Sequence, residues 1–417
     1  MKPFSVLKLL SLVALVVGLG SCANGRTLRP ARAVMDAITH VPLLGSAFQA
    51  LPTPDGAWVL VSLTMPDAGS PGISVYRRTD GGFAFVHLAA LDAAPTGMVL
   101  THDAKLLVVA AGNRLAFLDV ERLTAGTDGA LLGYLDEPTT TRRGLGRVYV
   151  NVTPDDQFMF ASDERARTIT VINLAVARAA GFAASAIVGK IPVGNAPIDL
   201  AFSPNAKLLY TTSQSMPSKF GWPITCRPER ASKDTAPEHS EGAIVIVDVE
   251  RAKTEPEHSV IGIVPAGCNP VRLVLSPQGD VAYVTARGMD ALLAFDTKKL
   301  LADPAHARIG HVPVGPSPVG IAVFDKGRRV VVTSSNRYAG DASDKQALFV
   351  VDATRVSEGE TAVIGTIPAG AFPREMRVTA DGHTLLVTNF RSKTLQVVDL
   401  LHLRLEKRRN AGTALAR

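Results

Sequence analysis

Signatures of catalysis and cofactor binding are scarce in this chain of 417 residues. No Cys-x-x-Cys-His occurs, which argues against a covalently attached c-type haem. A Walker loop, a Gly-x-Gly-x-x-Gly fingerprint after a strand, a His-Glu-x-x-His helix and a Gly-x-Ser-x-Gly elbow are all missing. The common nucleotide-binding, zinc-hydrolase and serine-hydrolase frames therefore find no support. Aromatic residues make up only 6% and are not interleaved with basic ones, so no stacking platform for single-stranded nucleic acid is expected. The nine histidines are scattered. His239 and His258 lie among Glu238, Glu241, Glu255 and Glu257 and could ligate a metal, but without fixed ligand spacing, so neither a metal site nor a cofactor is expected. Long apolar runs are also absent: the longest near the amino terminus, Leu9 to Leu19, is too short to cross a bilayer.

What the chain has is repetition. The segment Pro197-Ile-Asp-Leu-Ala-Phe-Ser-Pro204 recurs from Pro270, Pro318 and Pro373, and the same frame fits Pro95 to His102, Arg147 to Pro154 and Ala47 to Pro54, making seven copies. Each copy continues with a polar turn and an apolar run ending in Thr or Ser, as at Thr212, Thr285, Thr333 and Thr388. A variable loop and a second apolar run follow, the latter ending in Asp at Asp248, Asp296, Asp352 and Asp399. Pro-x-Gly then precedes the next copy, as in Pro192-Val-Gly194 and Pro313-Val-Gly315. At about 50 residues per copy there is room for four short strands and four turns, one propeller blade. The expectation is an all-β, seven-bladed propeller of four-stranded antiparallel blades over residues 33–400, with no second core.

Alternation places the first strand of each copy innermost. Counted onward from the leading position, the third residues are Ala50, Met98, Val150, Leu200, Leu273, Ile321 and Met376, an apolar set. The second residues, Gln49, Gly97, Tyr149, Asp199, Arg272, Gly320 and Glu375, are mixed and polar. A strand face that is apolar in every copy while its reverse carries charge reads as packed on one side and wet on the other. The wet side would look into the central channel.

Tyr283-Val-Thr and Leu386-Val-Thr-Asn389, each following Ser-Pro-x-Gly or Thr-Ala-Asp-Gly, resemble the repeats of the bacterial YVTN-repeat, YncE-like seven-bladed propellers. The resemblance spans about residues 40–400 and is strongest after Ile187, while Leu107-Val-Val-Ala and Phe160-Ala-Ser lack the tyrosine and Arg147 replaces the leading proline. That family is defined by its repeat and shares no catalytic motif, so the resemblance implies fold more firmly than chemistry.

Lys2 and Lys8 precede the run Leu9 to Leu19, which ends in Leu19-Gly20-Ser21-Cys22. This has the form of a secretory signal over residues 1–21 and resembles a bacterial lipobox, with Cys22 as the lipidated first residue of the mature chain. Residues 22–32 then form a tether. The expected location is extracytoplasmic, with a lipid anchor holding a globular domain at the membrane. The plain alternative is a cleaved signal with an incidental cysteine. Cys226 and Cys268 remain as an even pair in a compartment that permits disulfides. Both fall on connections that leave one face of blade four, so a bridge is expected, the alternative being two buried thiols. Without Lys2 and Lys8 the net charge of +6 falls to +4, part of it in the tail 401–417, where Arg404 to Arg409 and Arg417 lie. That balance suits anionic envelope surfaces better than nucleic acid.

Ile38-Thr-His-Val-Pro42 matches Ile309-Gly-His-Val-Pro313 at all but one place. It reads as an outer strand that closes the last blade, with Leu401 to Lys407 as a competitor; His40 and His311 then take equivalent structural positions. The longest connections, Thr64 to Gly72, Ser213 to Gly242 and Ser334 to Gln346, all join second to third strands and share one face. Long loops on a rigid scaffold carry function. Phe220, Trp222 and Arg227 in blade four, with Asn336, Arg337 and Tyr338 in blade six, are the binding candidates. A folded-down Trp222 sealing its own loop is the structural alternative. The favoured function is a monomeric, non-enzymatic binding or interaction scaffold for an envelope protein or small ligand. The alternative is a channel-mouth enzyme of lactonase or lyase type, because related seven-bladed folds include such enzymes. Asp199 and Glu375 would then be acid or base, with Arg272 and Arg377 holding an anionic substrate.

Overall fold

Seven antiparallel sheets of four strands each follow one another along the chain in a computed structural model, which describes residues 37–80, 82–136, 146–227, 238–337, 346–403 and 405. Cys22, the signal segment, the tether, Tyr338 and nearly all of the basic tail lie outside the described residues. Blade one comprises Gly45–Pro52, Trp58–Pro66, Gly72–Thr79 and Gly82–Ala90. Blades two to six begin with the inner strands Pro95–Leu100, Arg147–Val152, Asn195–Phe202, Pro270–Leu275 and Pro318–Phe324. In blade seven Pro373–Val378, Thr384–Asn389 and Thr394–Asp399 are joined by the amino-terminal strand Ile38–Pro42, which pairs from Ile38 opposite Val398 to Pro42 opposite Thr394. The ring is thus closed by the strand expected from sequence, and closure removes the open edges that invite aggregation.

Each landmark of the repeat has a local cause. The inner strand carries an irregularity just after its proline, between Pro197 and Leu200, Pro270 and Leu273, and Pro318 and Ile321. A bulge there takes the second residue's amide out of the ladder, and a buried amide needs an acceptor. The hydroxyl ending the second strand supplies it: Arg272 N–H donates to Thr285 Oγ1 at 3.0 Å and Gly320 N–H to Thr333 Oγ1 at 2.8 Å. The same hydroxyls donate onward to the inner strand of the next blade, Thr212 to the Val271 carbonyl at 2.8 Å, Thr285 to Val319 at 3.0 Å and Thr388 to Phe48 at 3.0 Å. The recurrent Thr or Ser is therefore an inter-blade bridge. The Asp ending the third strand caps the following turn, with Arg122 N–H on Asp119 at 2.9 Å and Arg251 N–H on Asp248 at 2.9 Å, the usual work of an N-cap carboxylate. The glycine of Pro-x-Gly lies where the connection grazes the neighbouring strand: a Cβ on Gly315 would stand 2.3 Å from Ser334 Oγ.

Cores form between adjacent blades. Between blades four and five, Tyr210, Ile244 and Ile246 pack against Leu273, Val284 and Phe295. All seven third residues of the inner strands are buried, as expected. Their reverse face is wet only in part: Gln49, Tyr149, Arg272 and Glu375 are at most 3% exposed, whereas Asp199 is half-buried. Seven inner strands converge on a narrow axis, and the large side chains of Tyr149 and Arg272 fill it. Gly97 and Gly320 leave room, since a Cβ at Gly97 would meet the Val148 carbonyl at 2.5 Å. The channel is a plugged shaft with a cavity at each end.

Candidate functional site

The plug is electrostatically tied. Arg272 Nη2 lies 2.8 Å from Glu375 Oε2, and Arg377 Nη2 lies 3.3 Å from the other carboxylate oxygen. The Arg272 guanidinium also rests 3.8 Å over the Tyr149 ring. Burial works against the charge on Arg272, but Glu375, Tyr149 and Asp199 outweigh it and raise its pKa. Asp199 accepts the Leu273 N–H at 2.8 Å and the Leu200 N–H at 3.1 Å. Burial pushes its pKa up against the pull of Arg272, and burial raises the Tyr149 phenol well above its ordinary value. Below the plug, Asn151, Asp199 and Arg377 line a cavity of about 410 Å³. The four channel candidates named from sequence thus share one place, with Glu375 held between two arginines.

A second cavity, of about 380 Å³, opens above the plug on the face where inner strands begin. That face also bears the connections between second and third strands, including the longest, 216–242. Connections of 10–13 residues between third and fourth strands, such as 174–186 and 353–362, lie on the opposite face, and the connection expected to be long after Thr64 is only 67–71. Arg374 follows Pro373 at the head of the blade-seven inner strand. Arg287 and Arg337 sit in the second-to-third-strand connections of blades five and six, and Glu164 in that of blade three. Arg374 stacks 4.0 Å over Phe48 and lies 5.6 Å from the Phe372 ring, while Arg337 lies 5.5 Å from that same ring. Arg287 Nη2 donates to Gln214 Oε1 at 2.7 Å. The Arg374 Nε is buried with no hydrogen-bond partner among the described residues. Burial, with the like charges of Arg337 and Arg272 behind it, lowers the Arg374 pKa to about 9. Glu164 is the one carboxylate among the described lining residues; burial raises its pKa, against the pull of Arg287 and Arg374.

Of the described loop residues named from sequence, only Arg337 lines this recess. Trp222 is half-buried and packs on Met216, Ala243 and Val245, sealing the base of its own insertion. Phe220 stays exposed, edge-on to Trp222 at 6.5 Å, and Arg227 is exposed. Asn336 is half-buried in a left-handed conformation at φ 41°. Cys226 and Cys268 are disulfide-bonded with Cα atoms 5.5 Å apart, tying the insertion to the connection before Pro270. His239 Nδ1 lies 2.8 Å from the Ser240 carbonyl oxygen and His258 is exposed beside Glu257. No group of three or more metal-ligating side chains occurs among the described residues. Sequence reasoning missed Arg374, Arg287, Glu164 and Phe48. One signal was available: Arg374 puts charge where the other copies have Phe48, Thr96, Val148, Ile198, Val271 and Val319.

No protein-family model and no curated protein sequence matches this chain. Solved structures do. Hydrazine synthase from Kuenenia stuttgartiensis is similar with a TM-score of 0.62 and 14% identity, over 87% of this chain and 97% of that one. A functionally unknown protein from Desulfotomaculum acetoxidans is similar with a TM-score of 0.56 and 11% identity, over 81% and 90% of the respective chains. At such identities the likeness speaks for the propeller fold alone. Among the described residues no helix is long and apolar enough to cross a membrane.

Proposed function

We propose that this protein is a non-enzymatic binding propeller of the YVTN-repeat type, exported and held at a membrane by lipid on Cys22, whose loop face receives a ligand. The observation that carries the reading is the coincidence, on one face, of the longest connection, the disulfide-tied insertion of blade four, and a recess with arginines in its wall. The channel carboxylates speak for bracing rather than turnover. Glu375 is clasped by two arginines, which ties its charge to the plug, and Asp199 accepts from two backbone amides, which holds its own strand to the next. The lipobox-like Leu19-Gly20-Ser21-Cys22 supports the anchor.

A thermal-shift screen of the mature chain against small molecules of every charge class, run beside lactone-hydrolysis and lyase assays, tests the binding reading. A ligand that raises the melting temperature without being consumed sustains it. Turnover abolished by Glu375→Gln in a folded protein, or stabilisation by no ligand of any class, sinks it. Separately, Cys22→Ala should release the protein from the membrane fraction, and unchanged sedimentation with membranes would refute the anchor.

A further inference from the structure

The loop-face recess is built to hold a negative charge. Four arginines line it, Arg272, which Glu375 neutralises in the plug, and Arg287, Arg337 and Arg374, against the single carboxylate of Glu164 among the described lining residues. An excess of like charge withdrawn from water is costly unless a counter-ion shares the space. Arg374 shows the cost, since burial and its cationic neighbours weaken its hold on a proton. Its Nε–H has no acceptor although it is buried, and orphaned buried donors in native folds call for an explanation such as an absent partner.

The arginines are also pre-shaped. Phe48 lies 4.0 Å beneath Arg374, and Phe372 lies within 5.6 Å of both Arg374 and Arg337. A guanidinium laid on an aromatic face keeps its edge N–H groups for in-plane acceptors, and a planar carboxylate accepts such a fork with two oxygens at once. Beside Ala196 and Gln214, the wall is completed by the residues that follow the leading position of neighbouring inner strands, Val148, Ile198, Val271 and Val319. These valine and isoleucine side chains offer no hydrogen bond, so they suit the apolar body of an organic ligand better than a bare hydrated ion. At water's share of liquid volume, 380 Å³ is room for roughly a dozen non-hydrogen atoms.

We infer that the recess binds a small organic acid, its carboxylate held by Arg374 with Arg287 and Arg337 and its hydrocarbon part against the valine and isoleucine wall. The inference rests on the binding reading above and names its ligand class. The test is calorimetric titration of the mature chain with benzoate, hexanoate and succinate, with benzamide as the neutral counterpart and inorganic phosphate as the bare anion. Binding of at least one of the carboxylates, with benzamide and phosphate much weaker, is the expected result. Arg374→Gln should weaken that binding about tenfold or more, as loss of a charge-assisted fork does. Arg374→Lys should recover only part, because it keeps the charge and loses the fork.

Both variants should melt no lower than the parent, which separates loss of binding from loss of fold. Should either melt lower, Arg287→Gln, in a turn on the rim, gives the same reading of affinity. Preference for phosphate over every carboxylate, equal binding of benzamide, or carboxylate affinity untouched by both Arg374→Gln and Arg287→Gln would overturn the inference. The binding reading survives those outcomes if the wider screen returns a neutral or cationic ligand, so the two failures are distinguishable.

Discussion

Replacing Glu375 by Gln isolates the work of the channel plug. The substitution keeps the shape of the side chain and removes its charge, leaving the Arg272 guanidinium in a site where both side chains are 4% exposed. Breaking a buried ion pair by neutralising one partner costs about 3–5 kcal/mol, because the remaining charge is neither solvated nor paired. The second contact, with Arg377, adds little, as that side chain is 38% exposed and surface pairs contribute about 0–1 kcal/mol. For a propeller of nearly four hundred residues, an unfolding entropy of about 2 cal/mol/K per residue converts the loss into a fall of roughly 4–6 °C in melting temperature. Urea unfolding followed by the fluorescence of Trp58 and Trp222 gives the free energy directly. The double substitution Arg272→Met with Glu375→Leu should return to within about 1 kcal/mol of the parent, since replacing a whole buried pair with apolar groups is often neutral or better. Raising the salt should change the Glu375→Gln penalty little, because a buried pair is poorly screened. A cost below about 1 kcal/mol for Glu375→Gln, or a double variant worse than the single one, would refute the view that this pair braces the ring.

Reducing the Cys226–Cys268 bridge, which closes a loop of 42 residues in sequence separation, should cost about 4 kcal/mol on chain entropy, read as a lower urea midpoint in dithiothreitol; a midpoint unchanged by reduction would show that the native blade holds the insertion without it. Carboxylate binding in the recess should depend on pH through Arg374 and Glu164, which share its wall with Arg272, Arg287 and Arg337. An anion favours protonated Arg374, so affinity present below about 9 is lost as pH rises through that value. Ionised Glu164 repels the ligand, so affinity also falls as pH rises through its raised pKa. Titration calorimetry above the ligand's own ionisation should therefore show two descending steps, and affinity that climbs with pH in that range would contradict the assignment.

The fold was legible because each recurring residue answers a local need that repeats with the blade. The hydroxyls of Thr212, Thr285 and Thr388 bridge neighbouring inner strands, Asp248 caps a turn, and Gly315 lets a connection pass close to Ser334. Closure by Ile38–Pro42 could be read for the same reason, since that strand copies an outer strand that has no other partner. The plug was half legible. Asp199, Arg272, Glu375 and Arg377 share one strand position or its neighbour, so alternation groups them, but alternation alone cannot give the width of the shaft. The face read as wet is buried where seven strands converge on Tyr149 and Arg272, and open around Asp199 and Arg377 in the cavity below.

The recess has a different origin. Glu164, Arg287, Arg337 and Arg374 belong to four blades, and only ring closure brings them around one axis. Glu164 and Arg287 occupy short turns and Arg374 a strand head, the stiff parts of each blade, whereas Arg337 begins the long blade-six connection and Phe220, Trp222 and Arg227 stand in the blade-four insertion outside the recess. A reading drawn to loop length therefore found Arg337 and missed the groups on short turns and at strand heads. The geometry assigns the two different work. Groups on short turns keep the fixed spacing that a fork of hydrogen bonds demands, while a long loop anchored by Cys226 beside Cys268 can vary in sequence without moving them. If the recess sets the chemistry of the ligand and the insertion sets what else reaches it, trimming the insertion should alter selectivity among carboxylates while leaving the requirement for a carboxylate intact.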